Sequence, residues 1–317
     1  MIYFSLYTCC FLTKGFSKGC LIDVERNLHC SIPLELCAIL ENNEISEDSD
    51  FKQYIDFLKN EGFVYFTEKK ITKQIQHNQV FSPFIFENLI FDFSNVSDFF
   101  DRINNINPFE IETMQLRFYC KLDVDQIYSI INQVIKNNFS SVELFFNHSK
   151  NNLSSDYVKV YNAYECITKI VIFDYKLKKY LQKENVYYVE EKLISENQCG
   201  KISEKFFCPN LRNYLTSLSF NSCLYKKISI DKNGNIKNCP SMKESYGNIK
   251  NTALQDALNS PNFTKFWDIT KKEISVCQDC EFRNICTDCR CFLTEEDNLF
   301  SKPKNCTYNP YSTEWES

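Results

Sequence analysis

The sequence predicts an α/β protein of three modules: a small winged-helix-like N-terminal domain over residues 1–70, a parallel sheet or partial (β/α) barrel over 80–220, and a cysteine-rich C-terminal domain over 221–317. Three observations carry this. Apolar runs alternate with amphipathic stretches from 88 to 191, as buried parallel strands alternate with crossover helices. Short strand-like and helix-like segments crowd the first 68 residues. Five cysteines also fall within CQDCEFRNICTDCRC, residues 277–291.

The N-terminal domain opens with strand IYFSLY. A hairpin follows, CLIDV and LHCSI around Glu25-Arg26-Asn27, and then a short helix, LELCAIL, behind Pro33. Phe51, Tyr54, Ile55 and Leu58 recur at i, i+3, i+4 and i+7, which predicts a second helix stopping at Gly62. FVYF closes the domain as a strand. The middle module carries strands at 88–93, 114–120, 142–147, 169–175 and 186–191. Its clearest helix is opened by Asp123 and puts Val124, Ile127, Tyr128, Ile131 and Ile135 on one face. Breaks at 43–50 and 148–156 read as loops. Beyond 221, KKISI and NIKNC flank Asn233-Gly234, a two-residue hairpin signal. A helix over 252–269, broken near Pro261, precedes the cysteines.

Composition excludes several functions. Six glycines and no G-x-G-x-x-G or G-x-x-x-x-G-K-[ST] leave no phosphate-cradling loop of a common type. Three histidines (His29, His77, His148) cannot build a His-rich metal site. A net charge of −5 argues against nucleic acid as a partner, and the lysines of KLKKYLQK (176–183) read as a solvated helix face. No run of 18 apolar residues predicts a membrane span. MIYFSLYTCCFLTKGF lacks the basic start and small-residue cleavage site of a signal peptide. The reading is therefore cytoplasmic, where clustered thiols mean metal more often than disulfide.

The C-terminal thiols read Cys223-x10-Gly234-x4-Cys239, then Cys277-x2-Cys280-x5-Cys286-x2-Cys289, Cys291 and Cys306. Chelate loops of the C-x-x-C type let two thiolates reach one ion. Zinc and iron–sulfur clusters share these ligands, and spacing does not choose between them. Cys9, Cys10, Cys20, Cys30, Cys37, Cys120, Cys166 and Cys199 read as small buried hydrophobes. Cys9 and Cys10 in particular, as strand neighbours, should point to opposite faces.

This arrangement resembles the signature of SPASM domains, which end radical-SAM peptide-modifying enzymes. GNIKN, CQDCEFRNICTDCR and CTYNPYSTEWE look like one subgroup, the SPASM-domain peptide maturases of grasp-with-spasm systems. The resemblance implies one or two 4Fe–4S clusters. Cys277, Cys280, Cys286 and Cys306 would hold one; Cys223, Cys239 and Cys289 or Cys291 would hold the other, with Cys208 as a candidate fourth ligand. It also implies a barrel of radical-SAM type, a precursor peptide and an ATP-grasp ligase as partners, and an N-terminal module that takes a leader peptide as an added strand.

Two departures qualify it. No C-x3-C-x2-C occurs in the chain; a lone Cys120 stands in LRFYCKLDVD after the expected first barrel strand, so the barrel is read as degenerate, without SAM. Cys289 and Cys291 also compete for one position of the signature. The favoured expectation is a maturation protein that binds a precursor and acts with a ligase. The alternatives are an iron–sulfur redox enzyme acting on a peptide, or a zinc-scaffolded interaction protein.

Overall fold

The structure, a computed structural model, describes residues 1–71, 82–176 and 185–316. His77 and all but Lys176 of the lysine-rich stretch lie outside them. In chain order the elements are β1 (Ile2–Leu6), β2 (Cys10–Lys14), β3 (Lys18–Asp23), β4 (Leu28–Pro33), α1 (Leu34–Asn42), β5 (Glu44–Ile45), α2 (Lys52–Asn60) and β6 (Val64–Thr67). Then come β7 (Phe86–Phe93), α3 (Val96–Arg102), β8 (Ile111–Leu122), α4 (Val124–Lys136), β9 (Val142–His148), α5 (Ser154–Ala163), β10 (Ile167–Phe173) and β11 (Val186–Tyr188). The last are α6 (Leu211–Ser219), β12 (Lys227–Ile230), β13 (Ile236–Lys237), α7 (Leu254–Leu258), β14 (Tyr308–Asn309) and β15 (Glu314–Trp315). They form two compact units: Met1–Phe81 with Gly200–Tyr225 and Phe266–Ser317, and Ser82–Cys199 with Lys226–Lys265.

The second unit is built on a seven-stranded sheet of order β11-β10-β9-β8-β7-β12-β13. All neighbours run parallel except β13, which returns antiparallel to β12. The strands are not apolar on both faces. Phe91, Leu116, Leu144 and Ile170 are register partners, each fully buried, on the face where Phe93 and Phe146 meet Phe99 of α3 and Tyr157 of α5. The alternate positions mix apolar residues such as Ile90 and Phe145 with polar ones. Arg117 donates through Nε and Nη2 to Asp92 at 2.6 and 2.7 Å, while Gln115 and Lys169 both bond Glu143.

Asp123 caps α4 as expected, completing a capping box in which Gln126 reaches back to its N–H. The buried stripe is rotated, however. Ile127, Ile130, Ile131 and Val134 face inward, and Ile135 is exposed. The hairpin at Asn233-Gly234 is also longer than two residues. Asp231 Oδ1 accepts the N–H groups of Asn233 and Asn235, so only Gly234 needs a positive φ, +85°. The helix expected over 252–269 shrinks to α7, while β5 and the start of α5 fall inside the expected loops.

In the first unit β1 lies between β5 and β6, and β2-β3-β4 form a meander. The hairpin expected around Glu25-Arg26-Asn27 is present, its turn held by Asp23 Oδ1 accepting the N–H groups of Glu25 and Arg26. Successive residues of β3 serve two cores because strand side chains alternate in direction. Leu21 packs with Phe4, Leu36, Cys37, Ile55 and Leu58. Cys20 and Ile22 pack with Tyr214, Leu215, Phe282, Ile285 and Tyr308. The N-terminal meander thus shares a core with the cysteine-rich tail.

Candidate metal centre

Cys277 begins a single 3-10 turn, Cys277–Asp279, entered through Val276 at φ +67°. The N–H of Cys280 bonds the carbonyl of Cys277, and that of Cys286 bonds the carbonyl of Phe282. Cys277 and Cys286 are buried, and Cys280 and Cys306 partly so. Burial pushes the Cys277 thiol up to about 11, with Cys286 and Cys306 close enough to add to the rise. The Cys280 thiol is raised by burial too, and Cys286 and Cys277 contribute; the Phe282 N–H donates to its sulfur and opposes the rise. The structure therefore brings Cys277, Cys280, Cys286 and Cys306 into one electrostatic neighbourhood.

A buried polar frame surrounds them. Lys271 Nζ lies 3.2 Å from Cys286 Sγ and also bonds the Thr287 carbonyl. Burial disfavours its charge, yet Cys286, Asp288 and Cys277 hold it firmly protonated. Asp288 and Arg290 pair at 2.6 Å with side chains 1% and 0% exposed. Asn221 donates to Asp288 Oδ2 and accepts the N–H groups of Cys223 and Leu224, while Ser222 bridges the Cys286 carbonyl and the Asp288 N–H. The Cys223 turn is thereby tied to the loop between Cys286 and Cys289.

Nothing in the sequence marks Gly15 as part of this loop. A Cβ there would lie 2.7 Å from Glu281 N, 2.8 Å from Lys18 O and 3.0 Å from Asp279 O, all backbone atoms. Gly15→Ala should therefore destabilise the protein by about 1–3 kcal/mol and lower its bound metal. Unchanged metal content and unfolding midpoint would show that the loop can yield.

Of the other expected ligands, Cys289 is buried, with its sulfur against Gly200, whose added Cβ would meet it at 3.2 Å. Cys223, Cys291 and the exposed Cys208 belong to the same unit. Cys239 lies in the second unit, where Cys199, read above as a buried hydrophobe, makes a side-chain hydrogen bond to it that drives the Cys199 thiol up. Cys199 is the ligand candidate that the spacing argument missed, because C-x39-C carries no motif. Cys9 departs from expectation as well. It sits in the turn before β2 rather than in a strand, and its sulfur lies 4.0 Å from that of Cys10. Cys120 lies in β8 and is half-buried, as a packing residue would be.

The SPASM family, described as an iron-sulfur cluster-binding domain, matches residues 222–281. SuiB of Streptococcus suis bound to S-adenosylmethionine superposes with a TM-score of 0.34 at 11% identity, covering 95% of this chain and 99% of that one. SuiB bound to its precursor peptide SuiA gives 0.33 at 11% identity, covering 95% and 98%. Superpositions this loose carry no argument. No curated protein matches the chain. Among the described residues no helix is long and apolar enough to cross a membrane.

Proposed function

We propose that the chain is a SPASM-type iron–sulfur protein of ribosomal peptide maturation, which binds a precursor peptide and acts with an ATP-grasp ligase without cleaving SAM. The observation that carries this is the grouping of Cys277 and Cys280, inside the segment matched by the SPASM family, with Cys286 and Cys306 beyond it. In this reading those four hold a 4Fe–4S cluster, and Cys223, Cys239, Cys289 and Cys291 are the remaining metal ligands. Such a cluster supplies cross-linking and one-electron chemistry when bound. The reading also keeps the modules 1–70, 80–220 and 221–317, with a winged-helix-like first and a degenerate radical-SAM barrel second, and a cytoplasmic location.

The absence of C-x3-C-x2-C leads us to expect no 5′-deoxyadenosine from reduced, cluster-loaded protein incubated with SAM. Catalytic formation of it would overturn the reading of the barrel. For the precursor, the first unit offers a cavity of about 380 Å³ lined by Tyr7, Cys10, Leu12, Tyr65 and Tyr214 among others. β2, the outer strand of the described meander, borders it, suited to an added strand. Tyr65→Ala should weaken binding of labelled precursor about tenfold or more, in the range of an aromatic hot spot. Equal affinity would move recognition elsewhere.

A further inference from the structure

We propose that Cys9, Cys10 and Asp23 form a separate site for a thiophilic divalent cation of the zinc class. Among the described residues, these are the only three metal-type side chains whose ligand atoms all lie within 4.8 Å of one another.

The backbone makes the cluster. Cys10 and Asp23 are register partners across β2 and β3, and directly opposed residues of an antiparallel pair point to the same face. The Cys10 N–H closes a tight turn onto the Tyr7 carbonyl at 2.8 Å, and the Cys9 carbonyl accepts the Val24 N–H. That turn takes Cys9 out of strand alternation and lets its side chain join the other two.

The spacings fit one ion. Zinc–sulfur and zinc–oxygen bonds of about 2.3 and 2.0 Å at the tetrahedral angle put two sulfurs about 3.8 Å apart, and a sulfur and an oxygen about 3.5 Å apart. Cys9 and Cys10 sulfurs are 4.0 Å apart, and Cys10 Sγ is 3.7 Å from Asp23 Oδ2. Asp23 is oriented as a ligand should be: its Oδ1 accepts two backbone N–H groups, and Arg26 Nε fixes Oδ2 at 2.6 Å. Burial raises its carboxyl, but those donors outweigh burial and keep it ionised. Three protein ligands leave a fourth position. Cys10 also lines the 380 Å³ cavity, so a ligand lying there is its natural occupant.

The test uses full-length protein purified anaerobically with its iron in place. Cobalt(II) is titrated in, and thiolate-to-cobalt charge-transfer absorption is followed while iron is measured in parallel. Wild-type protein should show a thiolate band saturating at one cobalt per chain with no loss of iron. Cys9→Ser, in a half-buried turn, should keep its iron and lose one of the two thiolate contributions to the band. Asp23→Asn should keep the band and bind at least about tenfold more weakly. No thiolate band in the wild type, or an identical band and stoichiometry in Cys9→Ser, would overturn the proposal and leave a hydrogen-bonded thiol pair.

Discussion

Cys280→Ser should yield little soluble protein, and what is recovered should have lost most of its iron. The segment around Cys280 has one 3-10 turn and little other regular structure, so its order depends on what the thiols bind. Metal binding to such segments is folding free energy, on the order of 10 kcal/mol for small zinc domains. Cys166→Ser is the control. Cys166 lies in a turn before β10, half-buried, with its carbonyl accepting the Val142 N–H, an interaction serine keeps. That change should cost about 1 kcal/mol. Equal yield and equal iron in the two variants would contradict the ligand assignment.

Asp288→Ala should destabilise the protein by about 3–5 kcal/mol, because removing one partner leaves Arg290 buried and unpaired. The same change takes a counter-charge from Lys271 and an acceptor from Asn221. Breaking the exposed Lys159–Asp156 pair by Lys159→Ala should cost less than about 1 kcal/mol. Urea unfolding of both variants with iron loaded distinguishes them. If Asp288→Ala unfolds within 1 kcal/mol of Lys159→Ala, the buried frame does not hold the loop.

Local signals in the sequence were legible where the physics is local. The Asp123 cap, the stop at Gly62, the β3–β4 hairpin and five of the six parallel strands of the large sheet all follow from side chains within a few residues. The closeness of Cys277, Cys280 and Cys286 was legible too, since C-x2-C-x5-C keeps them in one short loop. What the sequence hid is long-range. The packing of Gly15 against residues 279–281, and of Cys20 and Ile22 against Phe282 and Tyr308, joins positions more than 250 residues apart. No periodicity reports such contacts. The Cys199–Cys239 contact was hidden because the two residues lie forty positions apart. Cys9 was misread because one tight turn cancels the alternation that strand reasoning assumes. The extent of the 252–269 helix failed for a different reason: Pro261 and the asparagines on either side of it stop α7 at Leu258, and turns follow.

The most direct test of the iron–sulfur assignment is the metal, sulfide and absorption spectrum of protein purified without oxygen. A 4Fe–4S site gives about four irons and four sulfides per cluster, and the assignment predicts brown protein with at least that content, most of it lost in Cys280→Ser. Colourless protein carrying zinc without sulfide would contradict it.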